Sequence, residues 1–183
     1  MRRVFVGIPL SDELRIEISY WRRPYECLPV RWIDERNLHI TLVPPWYEGN
    51  IAGATMKLER LRGAIRPFDV NFEAVSWGPD PRRPRLVWAT GSTPPELISL
   101  KRRVDELYPE HAELGRPFTL HTTLARVSEE ESRFMLRQAF QMPRGWNMAV
   151  QLIVLYESKL LRDGAEYEIL AEVRPLARRP EVA

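Results

Sequence analysis

Cysteine is nearly absent from this 183-residue chain, because Cys27 is the only one. An internal disulfide needs two thiols and a Cys-rich zinc site needs more, so the sequence excludes both. This usage favours a reducing compartment such as the cytoplasm. We expect Cys27 to be a buried, unreactive thiol, since no histidine lies near it in sequence.

Long apolar runs and a strong excess of charge are also missing. No stretch approaches the roughly 18 apolar residues that would span a membrane, and the first apolar run stops at Pro9. With 27 Lys plus Arg against 25 Asp plus Glu, the net charge is only +2. Proteins that bind long duplex nucleic acid by neutralising phosphates are usually more basic, so a short strand or a chain end is the better candidate partner.

The pattern of apolar residues predicts an α+β fold, with a largely antiparallel sheet and helices on its outer faces. The predicted strands are 3–8, 30–33, 37–43, 68–77, 86–90, 116–127, 148–161 and 167–173, and the predicted helices are 12–23, 51–65, 94–108 and 129–140. Pro44 and Pro45 are expected to end the third strand, because proline cannot continue a sheet ladder. The elements recur in two similar halves, which predicts a single domain over 1–175 and a tail over 176–183.

Two of the three histidines lie in matching His-x-Thr-Leu segments, at 39–42 and 121–124. Because strand side chains alternate between faces, His39 and Thr41 share one face, and His121 and Thr123 share the equivalent face of a second strand. A solvated strand face would carry Lys, Glu or Arg. The sequence therefore predicts a shared polar floor of two imidazoles and two hydroxyls.

This set of groups suits the cleavage of a phosphodiester. One imidazole takes a proton from the attacking nucleophile while the other gives one to the leaving oxygen, and an ordinary histidine pKa allows both roles near neutral pH. Threonine hydroxyls can donate to the phosphate oxygens. The scheme needs no metal and no cofactor.

Other residues are weaker candidates for substrate binding. Arg126 follows the second motif and could pair with a phosphate, provided that a bulge or the end of the strand turns it to the face of His121. Trp46 and Tyr156 could stack on a base, with core packing as the alternative for each. We expect the cations Arg82, Arg83, Arg85 and Arg116 either to be solvated or to steer RNA. Trp77 and Trp88 are predicted to lie in the core, and His111 in a surface loop.

Through the two motifs and the segments that flank them, the chain resembles the two-histidine (2H) phosphoesterases, and specifically the RNA 2',3'-cyclic phosphodiesterase family, also called 2'-5' RNA ligase. The segments that carry the resemblance are RVFVGIPLSDEL, VRWIDERNLHITL, PRRPRLVWAT, RPFTLHTTLAR and VLYESKLLRDGAEYEIL. One run departs from the family pattern, since Val43-Pro44-Pro45-Trp46 stands where a Lys-Phe-Leu-Gly type run is common. That difference leaves the substrate preference open.

The resemblance implies a bilobal, pseudo-symmetric fold with both histidines in a central cleft. It implies hydrolysis of an RNA 2',3'-cyclic phosphate to a 2'-phosphomonoester, with His39 as proton donor, His121 as proton acceptor, and Thr41 and Thr123 on the phosphate oxygens. The reverse reaction with an RNA 5'-hydroxyl gives a 2'-5' linkage. The expected partners are RNA ends or short oligonucleotides, without a membrane, and the chain is expected to be monomeric.

Three other functions stay open on the sequence alone. One is a phosphodiesterase acting on a small cyclic or 2'-5'-linked nucleotide, and another is a non-catalytic RNA-binding module. A module of that kind would not need a proton-transfer pair. A metal phosphoesterase is the third, although its usual ligands include Asp, Glu or several His.

Overall fold

A computed structural model of the chain describes residues 1–113, 115, 117–128, 130–131, 139–142, 144–161 and 164–176. The strands are β1 (Arg2–Pro9), β2 (Arg31–Trp32), β3 (His39–Glu48), β4 (Asp69–Phe72), β5 (Ala74–Gly78), β6 (Leu86–Gly91), β7 (Leu120–Arg126), β8 (Trp146–Ala149), β9 (Ile153–Leu161) and β10 (Gly164–Val173). The α-helices are α1 (Asp12–Arg22), α2 (Ile51–Glu59) and α3 (Pro95–Leu107). The predicted α+β class and bilobal arrangement are confirmed.

Two four-stranded antiparallel sheets form the two lobes. The first has the order β10-β9-β1-β3 and the second the order β2-β7-β6-β5, and a separate pair joins β4 to β8. A continuous apolar core runs through both lobes, with Ile40 and Leu42 from the first sheet and Leu120 and Leu124 from the second. Both His-x-Thr-Leu strands therefore lie on the same core, with their apolar faces turned inward.

The predicted helices at 12–23, 51–65 and 94–108 are present. Ser11 is the N-cap of α1, where its side chain accepts a hydrogen bond from the Leu14 amide at 3.3 Å. The second helix is shorter than predicted and ends at Glu59. The predicted helix at 129–140 lies mostly outside the described residues.

The expectation that Pro44 and Pro45 end the third strand is wrong. β3 continues through both prolines to Glu48, pairing with β1 across register shifts between Val4 and Gly7. β3 is the edge strand of its sheet. An edge strand has one side with no ladder to serve, so a residue without an amide hydrogen is tolerated there.

Two strands predicted as continuous are each divided. The segment 68–77 breaks at Glu73 into β4 and β5, and the segment 148–161 breaks after Ala149 into β8 and β9. Each break passes the chain from the small sheet to a large one. The apolar alternation of 68–72 therefore does not continue, and Ala74 is exposed while Val75 is buried.

Among the described residues, no helix is long and apolar enough to cross a membrane. The proposed domain limit at residue 175 stays a prediction. At that end, the Leu176 amide donates to the Ile65 carbonyl at 2.9 Å.

A buried hydrogen bond ties the two motif strands together. The side chain of Thr122 is fully buried, and its hydroxyl donates to the backbone carbonyl of His39 at 3.0 Å. Because β3 and β7 belong to different sheets, this bond links the lobes at the position where the two motifs meet.

We expect Thr122→Val to lower the free energy of unfolding by about 1–3 kcal/mol, because the His39 carbonyl would be left without its buried donor. Urea denaturation measures this change. The matched control is Thr123→Val, one residue along on the cleft face, which should cost less stability. An equal loss in both variants would contradict a special role for the Thr122 bond.

Candidate active site

The two histidines occupy equivalent positions in the two sheets. His39 pairs with Pro9 and Thr41 with Gly7 in the first sheet, while His121 pairs with Thr90 and Thr123 with Trp88 in the second. The apolar neighbours of both histidines are buried, and His39, Thr41, His121 and Thr123 are partly exposed. The predicted shared face is therefore present in each strand.

Both imidazoles are held by the same type of contact. The Nδ1 atom of His39 lies 2.7 Å from the Asn37 carbonyl, and that of His121 lies 2.9 Å from the Thr119 carbonyl. A carbonyl only accepts, so each Nδ1 carries the hydrogen and Nε2 is the atom available for proton transfer. The spacing of two residues from carbonyl to histidine is the same in both motifs.

His39 is the more enclosed of the two rings. Phe5 packs on it at 4.8 Å between centroids, and Tyr167 meets it edge-on at 5.3 Å. Gly7 leaves room for the ring, because a Cβ there would lie 3.3 Å from His39 Cδ2 and 2.9 Å from the Ile40 carbonyl oxygen. The Thr41 hydroxyl lies 3.1 Å from His39 Nε2 and can donate to it.

The pKa of His39 is lowered to about 4, mainly by burial and to a smaller extent by the charges of His121 and Arg126, while the bond to the Asn37 carbonyl opposes the shift. The imidazole is therefore neutral near pH 7 in the unliganded protein. Because its Nδ1 already donates to a carbonyl, His39 can give a proton from Nε2 only as the imidazolium.

A bulge in β7 turns Arg126 to the face of the histidine. Val87 pairs with Ala125 but Trp88 pairs with Thr123, so Leu124 is an extra residue on the β7 side. Leu124 and Ala125 are consequently both buried, and the alternation resumes with Arg126 exposed. Arg126 lies close enough to His39 to affect its titration.

A cavity of about 690 Å³ opens beside this arrangement. It is lined by His39, Thr41, Thr123 and Arg126 together with the rings of Phe5 and Tyr167. Arg3 of β1, Arg22 of α1 and Arg31 of β2 also line it. His121 lies outside this lining. Asp34 and Glu35 also contribute to the wall, and Asp34 is paired with Arg36 at 3.1 Å. The excess of arginine favours an anionic ligand.

Two predicted substrate contacts lie in the core instead. Trp46 is 7% exposed and stacks on His111 at 4.7 Å, and Tyr156 is 7% exposed and stacks on Phe5 at 4.8 Å. A base has no room to stack on either ring. The strand continues through both prolines at a register shift, and Trp46 reaches the core rather than the rim of the cleft.

Other interpretations from the sequence are also revised. Cys27 is exposed, not buried. Trp88 is partly exposed and contacts His121 at 5.2 Å between ring centroids, whereas Trp77 is buried as predicted. His111 contacts Trp46 instead of standing alone in a loop. Arg82, Arg83 and Arg85 lie in the exposed β5–β6 turn, and Arg116 lies outside the described residues.

Several residues around the site were missed by sequence reasoning. Arg3, Arg22 and Arg31 are distant from both motifs in sequence, so spacing gives no sign that they share a cavity with His39. The role of the Asn37 and Thr119 carbonyls could have been found from the sequence, because each residue stands two positions before its histidine. Phe5 and Gly7 lie in an apolar strand whose pattern indicates only core packing.

Within the described part of the chain, no group of three or more His, Cys, Asp or Glu side chains is placed to hold a metal ion.

A family model described as the 2'-5' RNA ligase superfamily matches residues 10–159. The chain is 31% identical over 180 residues to an RNA 2',3'-cyclic phosphodiesterase of Escherichia coli K12, covering 91% of this chain and 92% of that protein.

A second relative and two solved structures agree with this match. An RNA 2',3'-cyclic phosphodiesterase of Methanothermobacter thermautotrophicus is 25% identical over 181 residues, covering 90% of this chain and 94% of the relative. The crystal structure of E. coli LigT in apo form superposes with a TM-score of 0.75 at 24% identity, covering 96% of this chain and 98% of that one. A crystal structure described as a phosphoesterase has the same TM-score at 25% identity, covering 97% and 100%.

The lowered pKa of His39 predicts how stability depends on pH. The ordinary histidine value is 6.5 and the folded value about 4, so between these pH values the unfolded chain binds more protons than the folded one. The free energy of unfolding therefore falls as the pH falls through this window, by up to about 3 kcal/mol from this group. Urea denaturation of the wild type and His39→Gln between about pH 7 and pH 4 should show a shallower decline in the variant. Parallel declines would contradict the assignment.

Proposed function

This chain belongs to the 2'-5' RNA ligase superfamily, and we propose that it hydrolyses RNA 2',3'-cyclic phosphate ends to 2'-phosphomonoesters with a His39/His121 acid–base pair and no metal. The observation that supports this most strongly is the matched pair of imidazoles. Each is fixed at Nδ1 by a backbone carbonyl, which leaves Nε2 for proton transfer.

The proposed reaction needs one acid and one base on opposite sides of phosphorus. His121 accepts the proton of the attacking water, the water oxygen bonds to phosphorus, and the bond from phosphorus to the 3'-oxygen breaks. His39 gives its Nε2 proton to that oxygen, and the product carries a 2'-phosphate and a free 3'-hydroxyl. The assignment of donor and acceptor comes from the family resemblance.

The remaining groups stabilise the phosphate. In this proposal Thr41 and Thr123 donate to the non-bridging oxygens, where negative charge increases in the transition state. Arg126 supplies a cation on the same face, because the β7 bulge turns it there. Arg3, Arg22 and Arg31 attract the polyanionic strand to the cavity.

Substrate binding also favours the protonated form that His39 needs as the donor, with the proton taken up from solvent. The unliganded imidazole is neutral near pH 7, because burial lowers its pKa to about 4. A phosphate anion beside Nε2 favours the imidazolium and raises the pKa of His39. His39 is then protonated only when the substrate phosphate is bound.

The same groups can also join two RNA ends without ATP. An RNA 5'-hydroxyl takes the place of water at His121, and the product is a 2'-5' linkage. We also propose that the protein acts as a monomer on RNA ends in the cytoplasm.

The first test uses an RNA that ends in a 2',3'-cyclic phosphate, with EDTA present. We expect turnover to the 2'-phosphate, and a loss of about a hundredfold or more in His39→Ala and in His121→Ala. Chromatography of the products identifies the phosphate position. Unchanged activity in either variant would refute the pair, and activity that is lost in EDTA and restored by a divalent ion would favour a metal enzyme.

The alternatives give different results in the same assay. An enzyme for small cyclic or 2'-5'-linked nucleotides would turn those over and leave the RNA end intact. A binding module would retain the RNA without turnover, and Arg126→Ala would weaken that binding.

The second test measures the protonation of His39 by NMR in the free protein and with the 2'-phosphomonoester product bound at saturation. We expect the pKa of His39 to rise by about two units or more on binding, to about 6 or above, because the phosphate stabilises the imidazolium and the donor must be protonated near neutral pH. A value that does not move, or moves down, would exclude His39 as the donor.

A further inference from the structure

The indole of Trp88 lies flat on the second sheet beside the active site. A Cβ built on Gly78 would come within 2.2 Å of Trp88 Cε2, 2.5 Å of Nε1 and 2.7 Å of Cδ2, so the ring covers the backbone of this glycine. Its Nε1 donates to the Ser76 hydroxyl at 3.1 Å. One face of the ring therefore rests on β5, and its orientation is fixed before any ligand arrives.

The other face of the ring is turned to the side of the sheet that carries His121. Trp88 pairs with Thr123 in the ladder, and paired residues lie on one face. Trp88 is partly exposed, and among the described residues His121 is the one aromatic ring in contact with it, at 5.2 Å. The indole thus offers a flat apolar surface next to the imidazole.

The two lobes differ at the position paired with the motif threonine. Gly7 stands opposite Thr41 in the first sheet, where Trp88 stands opposite Thr123 in the second. The glycine side holds the cavity, whose lining includes His39 but not His121 or Trp88. The cavity therefore lies on the His39 side of the pseudo-symmetric site, and the Trp88 indole lies on the His121 side, outside the cavity lining.

We propose that Trp88 is a stacking platform for a second nucleoside, the one that carries the 5'-oxygen opposite the cyclic phosphate. This rests on the proposed function, because it uses the in-line geometry of phosphoryl transfer, in which attacking and leaving oxygens lie on opposite sides of phosphorus. The nucleoside with the cyclic phosphate occupies the cavity, and the second base stacks on the indole beside His121.

The neighbouring turn suits a strand that continues from this platform. The turn between β5 and β6 starts at Gly78, beneath the indole, and the Arg85 amide donates to the Gly78 carbonyl at 2.8 Å. Arg83 and Arg85 are exposed there. A strand whose first base lies on Trp88 would bring its next phosphate toward these cations.

The reaction that isolates this subsite is cleavage of a 2'-5'-linked dinucleotide. The 3'-hydroxyl attacks phosphorus and loses its proton to His39, the bond from phosphorus to the 5'-oxygen breaks, and His121 protonates that oxygen. The products are a nucleoside 2',3'-cyclic phosphate and a nucleoside with a free 5'-hydroxyl. Hydrolysis of adenosine 2',3'-cyclic phosphate uses the same groups but has no second nucleoside.

The experiment compares wild type, Trp88→Leu and Trp88→Phe on 2'-5'-linked ApA and on adenosine 2',3'-cyclic phosphate. Leucine keeps an apolar side chain against His121 but cannot stack, and phenylalanine can. We expect Trp88→Leu to lower kcat/KM for ApA by about tenfold or more, mainly through KM. The cyclic nucleotide should change by less than about threefold, and Trp88→Phe should recover most of the loss.

Equal losses on both substrates would show that Trp88 only supports His121, and no loss on either would show that no base stacks there. Both results overturn the platform. A titration of the wild type with adenosine gives a readout apart from activity: the Nε1–H resonance of Trp88, assigned from Trp88→Phe, should shift. A shift in a protein that does not hydrolyse cyclic phosphates would retain the platform and refute the proposed function, and an unmoved resonance would refute the platform.

Discussion

The hydrogen bond from Thr122 to the His39 carbonyl is the contact on which the site depends. Each motif belongs to its own antiparallel sheet, so no ladder fixes the distance between the two histidines. The buried hydroxyl of one motif binds the backbone of the other at the residue whose side chain faces the cleft. Since the Thr122 side chain is buried, the bond resists solvent competition, and its loss leaves an unsatisfied acceptor. The relative position of the two imidazoles therefore comes from the core.

Burial gives His39 two opposing properties. Packing against Phe5 and Tyr167 holds the ring, and the same packing removes the water that would stabilise its charge. In the unliganded site the His39 imidazole is neutral and several arginines lie nearby, an arrangement that suits an anionic ligand. In the proposed function, the ligand's own charge then converts the imidazole into an acid, so the protonation state follows occupancy.

Much of the site was accessible from the sequence, because strand alternation depends only on local geometry. The faces of Leu38 to Leu42 and of Leu120 to Leu124 followed from it, and the fold class followed from the element pattern. Alternation fails where an extra residue enters a ladder. The β7 bulge at Leu124 and the register shifts between β1 and β3 depend on pairing between distant segments. For this reason, neither the burial of Trp46 nor the face on which Arg126 lies could be derived from the local sequence. The grouping of Arg3, Arg22 and Arg31 is likewise a property of the assembled lobes.

The edge position of β3 has a consequence for self-association. An exposed edge offers amides and carbonyls to any other extended chain, and long flat edges promote aggregation. Here the N-terminal part of β3 is covered by β7 through Thr122, and the part beyond it contains Pro44 and Pro45, which have no amide hydrogen to offer. Pro45 also lines the cavity. The same double proline that departs from the family pattern thus keeps the cleft wall from recruiting a foreign strand, so the edge can stay open to substrate.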